Sequence, residues 1–111
     1  MRRLGWAIGV LLPLAAGAQD AWAPLTGEEV REALTDRKLQ YASAWQEFRA
    51  SGRTLYNAGQ DSWGYWRVTG DQYCSQWPPG GLWDCYDLER KGEMLRFVGT
   101  GDDITEAVYA D

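Results

Sequence analysis

The sequence predicts a mainly β domain, in which an N-terminal helix packs on an antiparallel meander of about seven or eight strands. Short runs rich in aromatic and β-branched residues follow one another along the chain, each bounded by Gly, Pro, Asp or Ser. One helix signal precedes these runs, and two cysteines fall on neighbouring runs. These observations favour a curved sheet or a small lipocalin-like barrel with one disulfide.

The N-terminus is typical of a secretory signal peptide over residues 1–18. Arg2 and Arg3 precede an apolar run that ends in the small-residue triplet Ala16 to Ala18. The alternative, a short membrane anchor, is disfavoured because the run is shorter than the roughly 18 apolar residues that a span needs. We therefore expect an exported protein whose mature chain, residues 19–111, is one small domain without a membrane span.

The charge excludes some partners. Loss of Arg2 and Arg3 with the signal peptide changes the formal charge from −5 to −7. Because an acidic domain repels phosphate backbones, no nucleic-acid partner is expected. The acidity is more typical of plain solubility than of a cationic partner, which is the alternative.

The helix signal is the segment that begins at Thr26. Thr26 can cap the helix and Glu29 can complete a capping box. Val30 and Leu34 then share one face, and the helix is expected to end near Asp36.

In the second half, three turns set the strand register. We take Thr69-Gly70 and Lys91-Gly92 as two-residue turns and Pro78 to Gly81 as a four-residue loop. This register places four aromatic rings in one row on the inner face: Trp66, Tyr73, Tyr86 and Phe97. It also places Trp77 and Leu82 towards the core.

The outer face of the same strands holds the cysteines. Cys74 and Cys85 lie directly opposite each other, so a cross-strand disulfide is expected. The chain has no histidine, and we expect neither a metal site nor a cofactor. Asp87 is expected to pair with Arg96 across the strands.

Two candidate binding sites follow from this register. The inner one is a row of small and polar residues: Gly64, Ser75, Asp84 and Gly99. Ser75 and Asp84 could offer hydrogen bonds at the mouth of an aromatic cavity. In the alternative, the glycines only make room for Trp77 and a bend, while Asp84 lies in water.

The outer site is a row formed by Trp63, Gln76, Trp83 and Thr100, with Tyr65 alongside. It could contact a partner protein, because tryptophan and tyrosine are frequent at binding hot spots. In the alternative, the first hairpin or the helix covers these rings. An exposed aromatic face would also suit a dimer.

The first half of the chain has a weaker pattern. From Tyr41 to Arg49 apolar residues occur on both alternating faces, which indicates a bulge or a strand buried on both sides. Ala50 to Arg53 is expected to form a three-residue loop with Gly52 in the left-handed region. The last strand, Ile104 to Tyr109, should add to the sheet edge or close it.

Enzymatic activity is not expected, because no nucleophile has a neighbouring base. Asp84 and Asp87 alternate onto opposite faces, which is wrong for an acid and base pair. Asp102-Asp103 is more typical of a turn than of a calcium loop. A hydrolase built on Asp61, Asp84 or Glu47 is the enzymatic alternative.

Several segments together resemble a family of small exported alphaproteobacterial proteins classed as a domain of unknown function. The shared segments are Gly64-x-Trp66-x-Val68, Tyr73 to Pro79, Trp83-x-Cys85-Tyr86-Asp87 and Arg96 to Gly99. The resemblance covers nearly the whole mature chain and implies a periplasmic or secreted protein of a Gram-negative bacterium. It implies no activity.

The expected function is non-enzymatic binding of a small apolar or aromatic ligand, or of a protein partner. The alternative is a periplasmic hydrolase inhibitor that acts through the Trp77 to Trp83 loop. A cavity of about 300 Å³ or more on the aromatic face would favour the ligand binder.

Overall fold

The computed structural model describes residues 21–111, so the signal peptide predicted for residues 1–18 lies outside the described residues. The described chain forms one helix and nine strands. Their bounds are β1 Ala23–Pro24, α1 Gly27–Leu34, β2 Arg37–Gln40, β3 Trp45–Phe48, β4 Arg53–Asn57, β5 Asp61–Thr69, β6 Gln72–Gln76, β7 Trp83–Lys91, β8 Met94–Val98 and β9 Ile104–Tyr109.

Strands β2 to β9 form a closed antiparallel barrel of eight strands in an up-and-down meander. The predicted fold class is therefore confirmed, and the sheet is closed rather than open. β9 completes the closure by pairing with both β8 and β2. The short β1 pairs with Glu89 and Arg90 of β7, beyond the last pair that β6 makes with β7 at Asp87.

The helix caps one end of the barrel. The expected capping box is present: the Thr26 N–H donates to Glu29 Oε1 at 2.9 Å, and the Glu29 N–H donates to Thr26 Oγ1 at 3.3 Å. The Gly27 N–H donates to Asp71 Oδ1 at 2.7 Å, which joins the start of the helix to the turn between β5 and β6. Val30 and Leu34 are fully buried against the barrel core.

Packing at this closed end is mostly aliphatic. Leu39, Phe48, Leu88 and Leu95 are at most 1% exposed and form one cluster with the helix residues. Burial of each such side chain stabilises the fold by about 1.5–3 kcal/mol, so this end carries much of the domain's stability.

The predicted register is wrong by two residues at two hairpins. Trp66 lies opposite Ser75 and Leu88 lies opposite Phe97, because the turns are residues 70–71 and 92–93. Gly70 and Gly92 hold the first turn position with φ of 61° and 60°, respectively. Two-residue hairpin turns of the favoured kinds require a positive φ at that position, which glycine adopts without strain.

A shift of two residues keeps every side chain on its predicted face. All four rings of the expected aromatic row therefore lie on the inner face, although only Tyr73 and Tyr86 are directly opposite each other. The shift also changes an ion pair: Arg96 contacts Glu89 at 2.7 Å, so its predicted pairing with Asp87 is wrong.

The hairpin between β6 and β7 has the predicted register. Cys74 pairs with Cys85 across the strands, their Cα atoms are 4.0 Å apart, and the predicted disulfide is present. The prediction that Leu82 points into the core is wrong, because its side chain is 84% exposed in the loop before β7. The loop carries it away from the barrel before the strand begins.

The mixed pattern between Tyr41 and Arg49 comes from a turn rather than a bulge. The Tyr41 N–H donates to the Ala44 carbonyl at 2.7 Å, so the chain reverses at residues 42–43 between β2 and β3. The reversal separates two strands, each with regular alternation. In the next loop Gly52 has the predicted positive φ, 93°.

Candidate aromatic cavity

The barrel end opposite the helix is an open mouth. Strand directions place four loops there: residues 41–44, 58–60, 77–82 and 99–103. A cavity of about 760 Å³ lies within this mouth. Its lining residues are Tyr41, Ala42, Ser43, Ala44, Gln46, Tyr56, Ser62, Trp63, Tyr73, Ser75, Trp77, Pro78, Tyr86, Phe97 and Thr105.

Six aromatic rings form a continuous arc along the cavity wall, which we call the ring arc. Its members, in order of contact, are Trp77, Tyr56, Tyr41, Phe97, Tyr73 and Tyr86. Consecutive ring centroids are 6.0, 6.2, 6.0, 5.1 and 6.3 Å apart. The contacts are edge-on or tilted, so each ring supports the next, and all six rings border the cavity.

A buried hydrogen-bond network orients the floor of the cavity. The Tyr41 hydroxyl donates to Gln46 Oε1 at 2.6 Å. Gln46 Nε2 in turn donates to Thr54 Oγ1 at 2.9 Å and to the Tyr73 hydroxyl at 3.1 Å. Gln46 is only 4% exposed and its amide has a partner for each of its polar hydrogens. Two phenols of the ring arc are thereby held in fixed positions.

Trp77 reaches the wall because Gly64 leaves space for it. A Cβ at position 64 would lie 2.5 Å from Trp77 Cε3, which is closer than packed atoms allow. The Trp77 indole N–H donates to Ser75 Oγ at 3.1 Å. The glycine thus makes room for Trp77, as the alternative reading of the inner row expected, and the same ring lines a cavity.

Burial raises the pKa of three phenols of the cavity, those of Tyr41, Tyr73 and Tyr86. Burial is the main cause that raises the pKa of Tyr73 to about 12. Burial likewise raises the pKa of Tyr41 well above its ordinary value. The pKa of Tyr86 is raised by burial and by the neighbouring Asp103 carboxylate.

None of the described residues that line this cavity carries a charge. The polar side-chain groups of the lining are hydroxyls, one amide and the indole N–H groups of Trp63 and Trp77. A second cavity of about 550 Å³ contains Asp36, Arg37, Lys38, Glu47, Arg49 and Asp111 among its lining residues. The first cavity is therefore distinguished by aromatic surface and neutral hydrogen-bonding groups.

The predicted inner-site residues have different positions. Ser75 and Trp77 line the cavity, whereas Asp84 lies opposite Ser75 at the rim and is exposed. Gly64 pairs with Thr54, and Gly99 lies beside Tyr86, so the predicted single row is wrong. The two-residue shift of the register explains the difference.

The outer-site rings are covered by basic side chains instead of the helix or a hairpin. Trp63 and Tyr65 are 40% and 43% exposed. The Arg53 guanidinium carbon lies 4.7 Å from the centroid of the Trp63 ring and 5.6 Å from that of Tyr65. Arg67 lies 3.9 Å from the Trp83 ring. These cation–π contacts shield the rings while their edges stay accessible.

Trp63 and Trp83 do not form one row. Tyr65 pairs with Gln76, which pairs with Trp83, whereas Trp63 pairs with Leu55. Trp63 also borders the mouth cavity. The outer rings are therefore spread along the wall rather than joined into one patch.

Sequence reasoning missed nine of the lining residues, and three of them, Tyr41, Gln46 and Tyr56, belong to the ring arc or the buried hydrogen-bond network. Their alternation is regular within β3 and β4, where Gln46 and Tyr56 pair on the inner face. The alternation of apolar residues changes phase after Tyr41. This change was the sequence signal for a turn, although the turn contains neither glycine nor proline.

Asp84 and Asp87 are not arranged as an acid and base pair. Asp84 and Asp87 face opposite sides of β7, as predicted. Asp61 accepts a hydrogen bond from Asn57 at 2.8 Å, and Glu47 pairs with Arg49 at 3.0 Å on the wall. Within residues 21–111 no group of three or more acidic or cysteine side chains is arranged to hold a metal ion.

Comparison with family models, curated proteins and solved structures finds no significant match to this chain. The resemblance to the exported alphaproteobacterial family therefore stays a prediction. In the part of the chain that the structure describes, no helix has the length and apolar composition that a membrane span requires.

Proposed function

We propose that this protein is an exported, non-enzymatic binding module that holds a small organic molecule in its mouth cavity. The observation that carries the proposal is an aromatic cavity of about 760 Å³ in an eight-stranded barrel. Binding sites for small molecules commonly have volumes of about 300–1,000 Å³ and mostly apolar walls with a few fixed polar groups. Eight-stranded barrels of the lipocalin type have room for one small ligand.

The composition of the lining supports binding over catalysis. Ser43, Ser62 and Ser75 are its serine hydroxyls, and among residues 21–111 no lining side chain is a base that could activate them. The phenols of Tyr41 and Tyr73 stay protonated because burial raises their pKa, so they serve as hydrogen-bonding groups.

Binding is tested with N-phenyl-1-naphthylamine, a neutral dye whose fluorescence rises in apolar surroundings. The protein should bind one dye molecule per chain. Thr105→Trp, at an exposed position that lines the cavity, should weaken dye binding at least tenfold. Val108→Trp is the matched control, because Val108 lies on the same strand and on the opposite face. Equal dye binding by both variants would place the dye elsewhere and remove the proposal.

A second candidate is inhibition of a periplasmic hydrolase through the loop from Trp77 to Trp83. The supporting observation is Leu82, an apolar side chain that is 84% exposed beside the disulfide-linked strands. In this case Leu82→Asp should abolish inhibition of hydrolases in a periplasmic extract, while Thr105→Trp should not. The opposite pattern, or no inhibition by the unmodified protein, would eliminate this candidate.

A further inference from the structure

We propose that the ligand of the mouth cavity is an organic cation, with an ammonium or quaternary ammonium group held against the ring arc. This inference rests on the proposed function and adds the charge of the ligand to it. Three independent observations support it: the geometry of the rings, the distribution of charge around the mouth, and the contrast with the aromatic rings on the outer wall.

The ring arc provides the surface that such a group prefers. A cation is attracted to the face of an aromatic ring when it lies within about 6 Å of the centroid. All six rings of the arc border the cavity and neighbouring centroids are 5.1 to 6.3 Å apart, so a cationic group in the cavity has several rings within reach. The polar side-chain groups between the rings are neutral, so no positively charged side chain of the lining repels a bound cation.

Charges around the mouth have one sign. Asp61, Asp84, Asp102 and Asp103 lie in the mouth loops or within two residues of them. None of the nine lysines and arginines of residues 21–111 lies in those loops or lines the cavity. A cation that approaches the mouth is therefore attracted, whereas an anion meets repulsion and finds no partner inside.

One of these carboxylates is held directly beside the ring arc. A Cβ at Gly99 would lie 2.8 Å from Asp103 Oδ2 and 2.9 Å from Tyr86 Cε2, so the absence of a side chain lets the two groups approach. The Gly99 N–H donates to the Asp103 carbonyl at 2.7 Å and fixes the loop. The carboxylate thus adds negative potential at the edge of the cavity.

The aromatic rings on the outer wall differ from those of the ring arc in their contacts with basic side chains. Outside, Tyr65, Trp22, Trp45 and Trp83 each have a lysine or arginine over the ring, and so does Trp63, which also borders the mouth. Among residues 21–111, no lysine or arginine lies over any ring of the arc. The fold supplies its own cations to the outer rings, and the cavity leaves that position to a ligand.

The test uses three probes of one size and shape: 4-(trimethylammonio)benzyl alcohol, its neutral isostere 4-tert-butylbenzyl alcohol, and the anionic 4-(hydroxymethyl)benzenesulfonate. Isothermal titration calorimetry on the purified, oxidised protein measures each affinity. The cation should bind roughly 3- to 30-fold more tightly than the neutral alcohol, and the anion more weakly than both.

Further variants test the contribution of the carboxylates to cation binding separately from that of the rings. The double variant Asp84→Asn and Asp103→Asn should weaken cation binding about two- to fivefold and leave the neutral alcohol unchanged. Asp87→Asn, on the outer face, is the control for loss of charge. Tyr56→Leu should remove most of the cation preference, and Tyr56→Phe, which keeps the ring, should retain it.

Equal affinity for the cation and the neutral alcohol would overturn this inference while the proposed function stands. Tighter binding of the sulfonate would also overturn it. If none of the three probes and no neutral dye binds in the cavity, the proposed function itself fails.

Discussion

The two ends of this barrel are built from the same eight strands and differ in what fills them. At the closed end, α1 supplies Val30 and Leu34 to a cluster with Leu39, Leu88 and Leu95, all at most 1% exposed. At the mouth end no helix of residues 21–111 enters, and the walls are rings that contact one another by their edges. The two ends therefore have different roles: stability is concentrated under the helix, and a preformed cavity lies at the other end.

The largest effect is expected at the closed end. Leu34→Ala should lower the free energy of unfolding by about 4 kcal/mol, because it removes a fully buried side chain and leaves a cavity under the helix. Leu82→Ala, at the exposed loop, should change it by less than about 0.5 kcal/mol. Urea denaturation followed by tryptophan fluorescence measures the stability of both variants. Equal losses of stability would contradict a concentration of stability at the closed end.

Loss of the disulfide should have the next largest effect. The double variant Cys74→Ala and Cys85→Ala should be less stable by about 3 kcal/mol, because the cross-link no longer restricts the unfolded chain. A reducing agent should destabilise the unmodified protein to a similar extent and leave the variant unaffected. A variant as stable as the oxidised protein would show that the barrel does not depend on this link.

Gly64→Ala tests the wall of the mouth. The added Cβ would collide with Trp77 and should cost about 2 kcal/mol while it displaces the ring and weakens dye binding. Gly81→Ala is the control, because nothing lies within 4 Å of a Cβ at that position. Unchanged dye affinity in Gly64→Ala would show that Trp77 does not shape the site.

The smallest effect is expected from the helix cap. Thr26→Ala removes the side chain that accepts the Glu29 N–H and should cost about 1 kcal/mol. Dye affinity should stay the same, because the change is confined to the closed end. A large loss of dye affinity in Thr26→Ala would instead show that the helix cap influences the mouth cavity.

In the second half of the chain, the sequence predicts the face of the sheet on which a residue lies better than the residue that lies opposite it on the next strand. Thr69-Gly70 and Gly70-Asp71 both contain the glycine that a tight turn needs, and they differ by two residues in register. Alternation is insensitive to that difference, so the aromatic rings were assigned to the correct side. The disulfide hairpin had no such ambiguity, because its longer loop was bounded by prolines and glycines.

The first half of the cavity was not predictable by the same rules. The turn at residues 42–43 carries neither glycine nor proline, so Tyr41 and Gln46 were assigned to one irregular strand. The cover of the outer rings was also missed. Arginine side chains reach across neighbouring strands, and alternation along one strand does not report where their guanidinium groups lie.

The most direct test of the ligand site uses the indole N–H signals in a proton–nitrogen correlation spectrum. Neutral dye is added to the labelled protein. The account predicts that the Trp77 signal shifts most, because its N–H bonds to Ser75 in the cavity wall. The Trp66 signal, whose N–H bonds to the Arg49 carbonyl at the closed end, should stay in place. Larger shifts at Trp66 or at the outer Trp83 than at Trp77 would contradict a binding site in the mouth cavity.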